Sequence, residues 1–158
     1  EGKREVNAQV QVHSVPDGAV LADYSIGHSN RGVTCIDVRP YVVVLGCSTS
    51  KRGDPFDVSH AVQVLWIHSS TCPQSDQFRI AKKFSVPTPS QVLCVSVSNL
   101  CYVAAQASGE VRLWSSEGAL LHILNPFAHA SKVLAQRSVP ISAVALSPEA
   151  PVLAVVSQ

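Results

Sequence analysis

Methionine is absent from all 158 residues, charged residues make up only 15% of the chain, and aromatic residues 6%. Low charge beside 46% hydrophobic residues excludes a globally disordered chain, which needs the opposite balance. Formal net charge is +1, from 12 Lys plus Arg against 11 Asp plus Glu, so no long-range field of one sign gathers nucleic acid or an anionic membrane. No run approaches the ~18–20 apolar residues of a membrane-spanning helix; the longest, Tyr41 to Cys47, has the length of a buried strand. The five cysteines, at 35, 47, 72, 94 and 101, are odd in number and include no C-x-x-C pair, which speaks against a disulfide framework or a zinc site. With only eight Gly, the chain holds no G-x-G-x-x-G, P-loop or G-x-S-x-G, the motifs of phosphate cradles and of a nucleophile elbow. The absence of an N-x-S/T acceptor and of a signal-peptide pattern makes an intracellular location the expectation, cytoplasmic first and nuclear second. A chain without Met that opens on Glu1-Gly2-Lys3-Arg4-Glu5 is expected to be a segment of a longer protein.

What is present is strand after strand. Ala8, Val10 and Val12 alternate with Gln9, Gln11 and His13, the run breaks at Pro16-Asp17-Gly18, and Ala19 to Tyr24 continues it as a hairpin. Gly32 to Val38 stops at Arg39-Pro40 and is followed by the β-branched run from Tyr41. Ser48 to His60 is polar and reads as a long loop; Ala61 to Ile67 is a strand, and Ser69 to Asp76 another loop. Gln77 to Phe84 carries Arg79 and Lys83 beside Phe78 and Ile80, the composition of an edge strand. Pro87-Thr88-Pro89 then separates it from Gln91 to Val97, Cys101 to Ala105, Glu110 to Trp114 and Ala119 to Leu124. Asn125 to Ser138 is a connection with room for a short helical turn at 127–136, and Pro140 to Leu146 with Val152 to Val156 form a last hairpin.

Recurrence of the same phrase at a period of roughly 40–60 residues is the mark of a repeat array. Tyr24-Ser25-Ile26-Gly27-His28, leading into Gly32 to Ile36, resembles the Gly-His turn and innermost strand of the WD-repeat family of β-propellers. Phe127-Ala128-His129, followed by Ile141 to Pro148, resembles the same element with Gly replaced. Trp66 and Trp114 match that family's Trp at the end of the third strand, with Ile67 and Ser115 where its Asp is usual. The resemblance implies an all-β, partial β-propeller of four-stranded antiparallel blades, about three blades' worth. Its parts are an outer half-blade over 6–26, a blade over 32–84, a blade over 91–124 and an inner half-blade over 140–158. Gly27, His28, Trp66, Trp114 and His129 are its blade signature. The family's bracing Asp is missing from the turn Ala107-Ser108-Gly109-Glu110, so apolar packing is expected to carry more of the stability.

The remaining polar residues are weighed against ordinary loop chemistry. Asp54, Asp57 and His60 recur at three-residue intervals, as metal or acid–base groups do, but in a loop where such residues are common. Asp37 is the carboxylate of the innermost strands, and an enzyme reading would rest on it. His13, His68 and His122 have no partner in sequence. Lys51, Arg52, Arg79, Lys82 and Lys83 are the candidate partner contacts, without the interleaved aromatics that stack bases. The expected function is a non-catalytic protein-interaction scaffold, a propeller segment of a multi-subunit assembly of coat, tether, transport or ribosome-assembly type. It takes no cofactor and has other proteins as partners; membrane association comes only through those partners, and nucleic acid is not expected. The alternatives are an RNA- or phosphoinositide-associating propeller using its basic loops, and an accessory domain of an enzyme.

Overall fold

The computed structural model describes residues 8–26, 32–50, 57–69, 78–128, 139–150 and 152–157. Among these the protein is all-β. Strands β1 (Gln9–His13) and β2 (Val20–Ser25) form an antiparallel pair. Then β3 (Gly32–Arg39), β4 (Val42–Ser50), β5 (Val58–Ser69) and β6 (Phe78–Thr88) form a four-stranded meander in chain order. A second meander holds β7 (Val92–Val97), β8 (Cys101–Gln106), β9 (Val111–Ser115) and β10 (Leu120–Leu124), and β11 (Ile141–Leu146) pairs with β12 (Leu153–Ser157). No sheet closes on itself among the described residues.

The four sheets stack face to face in chain order, and the two-residue period of each strand explains how. On β4, Val43, Leu45 and Cys47 point one way and join Leu65, Ile80 and Val10 of the first pair. Val44, with Val62 and Val64 of β5, points the other way and meets Val92, Val95, Val97, Tyr102, Ala104 and Trp114 of the second meander. Val103, Ala105 and Val111 on that meander's far face meet Ile141 and Leu146. A sheet covered on both faces has no use for polar residues in its central strand, hence the unbroken Val42 to Leu45 run. Each fully buried Val or Leu contributes about 1.5–3 kcal/mol.

First strands lie beside first strands: β3 against β7, and β7 against β11. Polar groups tie these seams. The Thr34 hydroxyl donates to the Val92 carbonyl at 2.7 Å, the Asp37 carboxylate accepts from the Val97 amide at 2.8 Å, and the Ser96 hydroxyl accepts from the Leu146 amide at 3.1 Å. At the opposite side of the stack, β2 lies against β6.

Three sequence expectations change. The polar stretch from Ser48 belongs to the strands at both ends: Ser48, Thr49 and Ser50 pair with His60, Ser59 and Val58. Side-chain bonds complete this ladder, Ser48 to His60 Nδ1 at 2.9 Å and Thr49 to Ser59 at 2.6 Å, so hydrogen bonding replaces the apolar alternation by which strands are read. Pro87 and Thr88 are the end of β6 rather than a spacer, allowed because an edge strand leaves one side's amide unused. Trp66 lies inside β5 and is 38% exposed, whereas Trp114 is 3% exposed between the two meanders.

Candidate interaction groove

The turn from β3 to β4 consists of Pro40 and Tyr41, since Arg39 and Val42 are paired. Tyr41 has φ of 66°. Proline presets the first corner of such a turn, and a second corner with positive φ is the type II pattern, which ordinarily takes Gly. A tyrosine there carries a backbone cost on the order of 1–3 kcal/mol, and the residue is 64% exposed. Its carbonyl is bonded by the Ile67 amide at 2.9 Å, which fixes the turn to β5.

Tyr41 forms one lip of an open groove of about 510 Å³ between the two meanders. Trp66 and His68 of β5 form its aromatic wall, their rings meeting edge to face at 5.7 Å. Arg39 borders it as well, with Nε donating to the Val97 carbonyl at 3.1 Å. Among the described residues the terminal nitrogens of that guanidinium take no acceptor.

Lys83 of β6 crosses the floor. Its ammonium lies 4.1 Å from the centroid of the Trp66 ring, donates to the Ser116 carbonyl at 2.7 Å, and pairs with Glu117 at 3.1 Å. Cation–π contact, carbonyl and carboxylate together hold a side chain that is only 13% exposed. Beneath it, the Tyr102 hydroxyl donates to the same Ser116 carbonyl at 3.3 Å. Burial, with the Glu117 carboxylate adding and a hydrogen bond with Trp66 opposing, raises the Tyr102 phenol above its ordinary range.

Of the basic residues singled out in sequence, Lys83 is therefore engaged internally. Arg79 and Lys82 are exposed on β6, and Arg79 borders a separate polar hollow with Asp23. Lys51 and Arg52 lie outside the described residues, as do Gly27, His28, His129 and Asp54. Asp37 spends both carboxylate oxygens on backbone amides, those of Val38 at 2.9 Å and Val97 at 2.8 Å. Ser48 and His60 are a hydroxyl–imidazole pair, but Ser48 is 2% exposed, which leaves the hydroxyl no approach for a substrate. Cys35, Cys47, Cys94 and Cys101 are free thiols, and among the described residues no three His, Cys, Asp or Glu side chains are placed to hold a metal. No helix among the described residues is long and apolar enough to cross a membrane.

The turn at 107–110 is braced by Gln106 and Ser90. Gln106 Oε1 accepts from the Ser90 amide at 3.3 Å and its hydroxyl at 3.4 Å, while the Ser90 hydroxyl accepts from the Ser108 amide at 3.3 Å. The loop entering β7 is thereby tied to the β8–β9 turn. Sequence reading missed Arg39, Tyr41 and Gln106; the one signal for the groove was Pro40 followed by a residue other than Gly. In comparisons with known proteins, no family model and no curated protein matches the chain.

Proposed function

We propose that this chain is part of a WD-repeat-like propeller and serves as a non-catalytic protein-interaction scaffold within a larger assembly. The observation that carries the reading is the stacking of successive antiparallel meanders, first strand beside first strand, which leaves their turns grouped at the ends of a stiff array. Turns on such a framework are natural binding surfaces. The side chains they bring together are aromatic and recognition-type rather than a nucleophile with a base and an orienting group. The two pairs at the ends of the stack, β1–β2 and β11–β12, each have the strand number of half a meander, in keeping with a propeller segment.

The test is affinity purification of the protein from cells under physiological salt, with partner identification and a parallel activity survey. A stoichiometric protein partner supports the scaffold reading. Retention of RNA or phosphoinositide instead, lost steeply with added salt, moves the function to the exposed cations, and turnover that copurifies with the chain at constant specific activity overturns it.

A further inference from the structure

Resting on the scaffold reading, we infer that the groove between Tyr41 and Trp66 docks an extended, proline-containing segment of a partner protein that places a carboxylate on Arg39. The groove's mouth presents Arg, Tyr and Trp together, the three residue types that dominate binding hot spots. Tyr41 and Trp66 are 64% and 38% exposed, and the tyrosine is presented by a backbone conformation that favours glycine. That is a local cost borne by the fold to put a ring at the rim.

The same walls leave little free main chain for strand addition. The Ile67 amide is already bonded to the Tyr41 carbonyl, and Trp66 to Ser69 are paired with Ala81 to Phe78 across β5 and β6. The recognition elements the groove does present are ring faces, those of Tyr41 and Trp66. Proline needs no partner for an amide hydrogen, and a polyproline II segment arrives already ordered, which is how aromatic-lined grooves take such ligands.

Charge selects the second element. Lys83 and Glu117 cancel each other at 3.1 Å, while Arg39 has bonded only through Nε among the described residues. The groove is left with one net positive group, whose terminal nitrogens match a carboxylate. A volume of about 510 Å³ falls in the range of ~300–1,000 Å³ typical of ligand sites.

The experiment is a fluorescence titration of the whole chain. Of its two tryptophans only Trp66 is open to solvent, since Trp114 is 3% exposed. The probes are twelve-residue peptides of repeated Pro-Pro-Glu, Pro-Pro-Gln and Ala-Ala-Glu. Pro-Pro-Glu is expected to change the emission saturably, with the other two weaker by about tenfold, the loss of one charge-assisted bond or of the ring stacking. Tyr41→Gly, which suits the turn and keeps the fold, is expected to abolish the response while melting no earlier than the wild type. Equal binding of all three peptides, undiminished binding by Tyr41→Gly, or no saturable response up to millimolar peptide overturns the proposal. A protein partner purified equally well on wild type and Tyr41→Gly would leave the scaffold reading standing and remove this groove from it.

Discussion

The carboxylate of Asp37 on β3 receives the amide hydrogen of Val97 at the end of β7, 2.8 Å away. Two residues along the same face, Arg39 donates to the Val97 carbonyl at 3.1 Å. Both polar groups of one buried residue, Val97 at 1% exposure, are thus satisfied by side chains of the neighbouring sheet. Asp37, the only carboxylate in the described strands β3, β7 and β11, fastens the seam through both oxygens.

Asp37→Ala leaves the Val97 amide buried without an acceptor, which costs about 1–3 kcal/mol. For a chain of this size that lowers Tm by roughly 4–8 °C at the middle of the range. Asp37→Asn keeps one acceptor oxygen and is expected to lose about half as much. Thermal unfolding followed by circular dichroism measures both; an unchanged Tm in Asp37→Ala would show that the seam does not depend on this bond.

A second seam feature is a missing side chain. A Cβ on Gly46 would sit 2.5 Å from Cys35 Sγ and 2.8 Å from both Thr34 Oγ1 and Val92 Cγ1. Glycine here gives β4 room for the first strand of the next sheet. Gly46→Ala is expected to cost about 1–3 kcal/mol by overpacking. Cys35→Ala in the same chain should recover part of that loss, because Sγ is the nearest obstacle but not the sole one. The double-mutant cycle in urea measures the recovery as a coupling of at least ~0.5 kcal/mol; strict additivity contradicts the packing argument.

How far the sequence revealed this molecule follows from which physical signal each part uses. Alternation of Val10 and Val12 with glutamines, and the β-branched run before Cys47, declare strands by burial, and the antiparallel sheets are found there. Ser48–His60 and Thr49–Ser59 hold their strands by side-chain hydrogen bonds, which look like loop composition until register is known. Trp66 is partly open, with the Lys83 ammonium over its ring, a contact between strands far from obvious in one dimension. Ser90 and Gln106 brace the turn at 107–110, and no fixed spacing announces such a pairing. Tyr41 was legible only as an oddity after Pro40.

Alkaline pH should expose the buried thiols. Burial pushes Cys47 from 9.0 up to about 11, with the neighbouring Cys35 thiol adding and Lys82 opposing. Cys35 and Cys94 are shifted upward mainly by burial as well. Below pH 9 both folded and unfolded chains hold the Cys47 proton, so stability there is independent of it. Between pH 9 and about 11 only the unfolded chain loses the proton, and stability falls as pH rises. Urea midpoints measured from pH 8 to 11 should decline, and Cys47→Ala should flatten part of the decline. Parallel curves for the two proteins would refute the assignment.

Gln106 offers the sharpest test of the brace at the 107–110 turn. Its side chain is fully buried, Oε1 serves Ser90, and Nε2 has no partner among the described residues. A buried amide nitrogen without an acceptor carries a desolvation cost of about 1–3 kcal/mol. Gln106→Leu removes that cost and gives up two long bonds to Ser90, a residue near enough to the surface for water to replace them. The expected net change is within about 1 kcal/mol of zero, with stabilisation permitted. Ser90→Ala acts differently, since it removes the hydroxyl that accepts from Ser108 and leaves Gln106 buried with one bond fewer. It should destabilise by about 0.5–1.5 kcal/mol. Chemical denaturation of both variants decides the matter: a loss above about 2 kcal/mol in Gln106→Leu would mean that Nε2 is satisfied in solution, by a buried water bonded at that position.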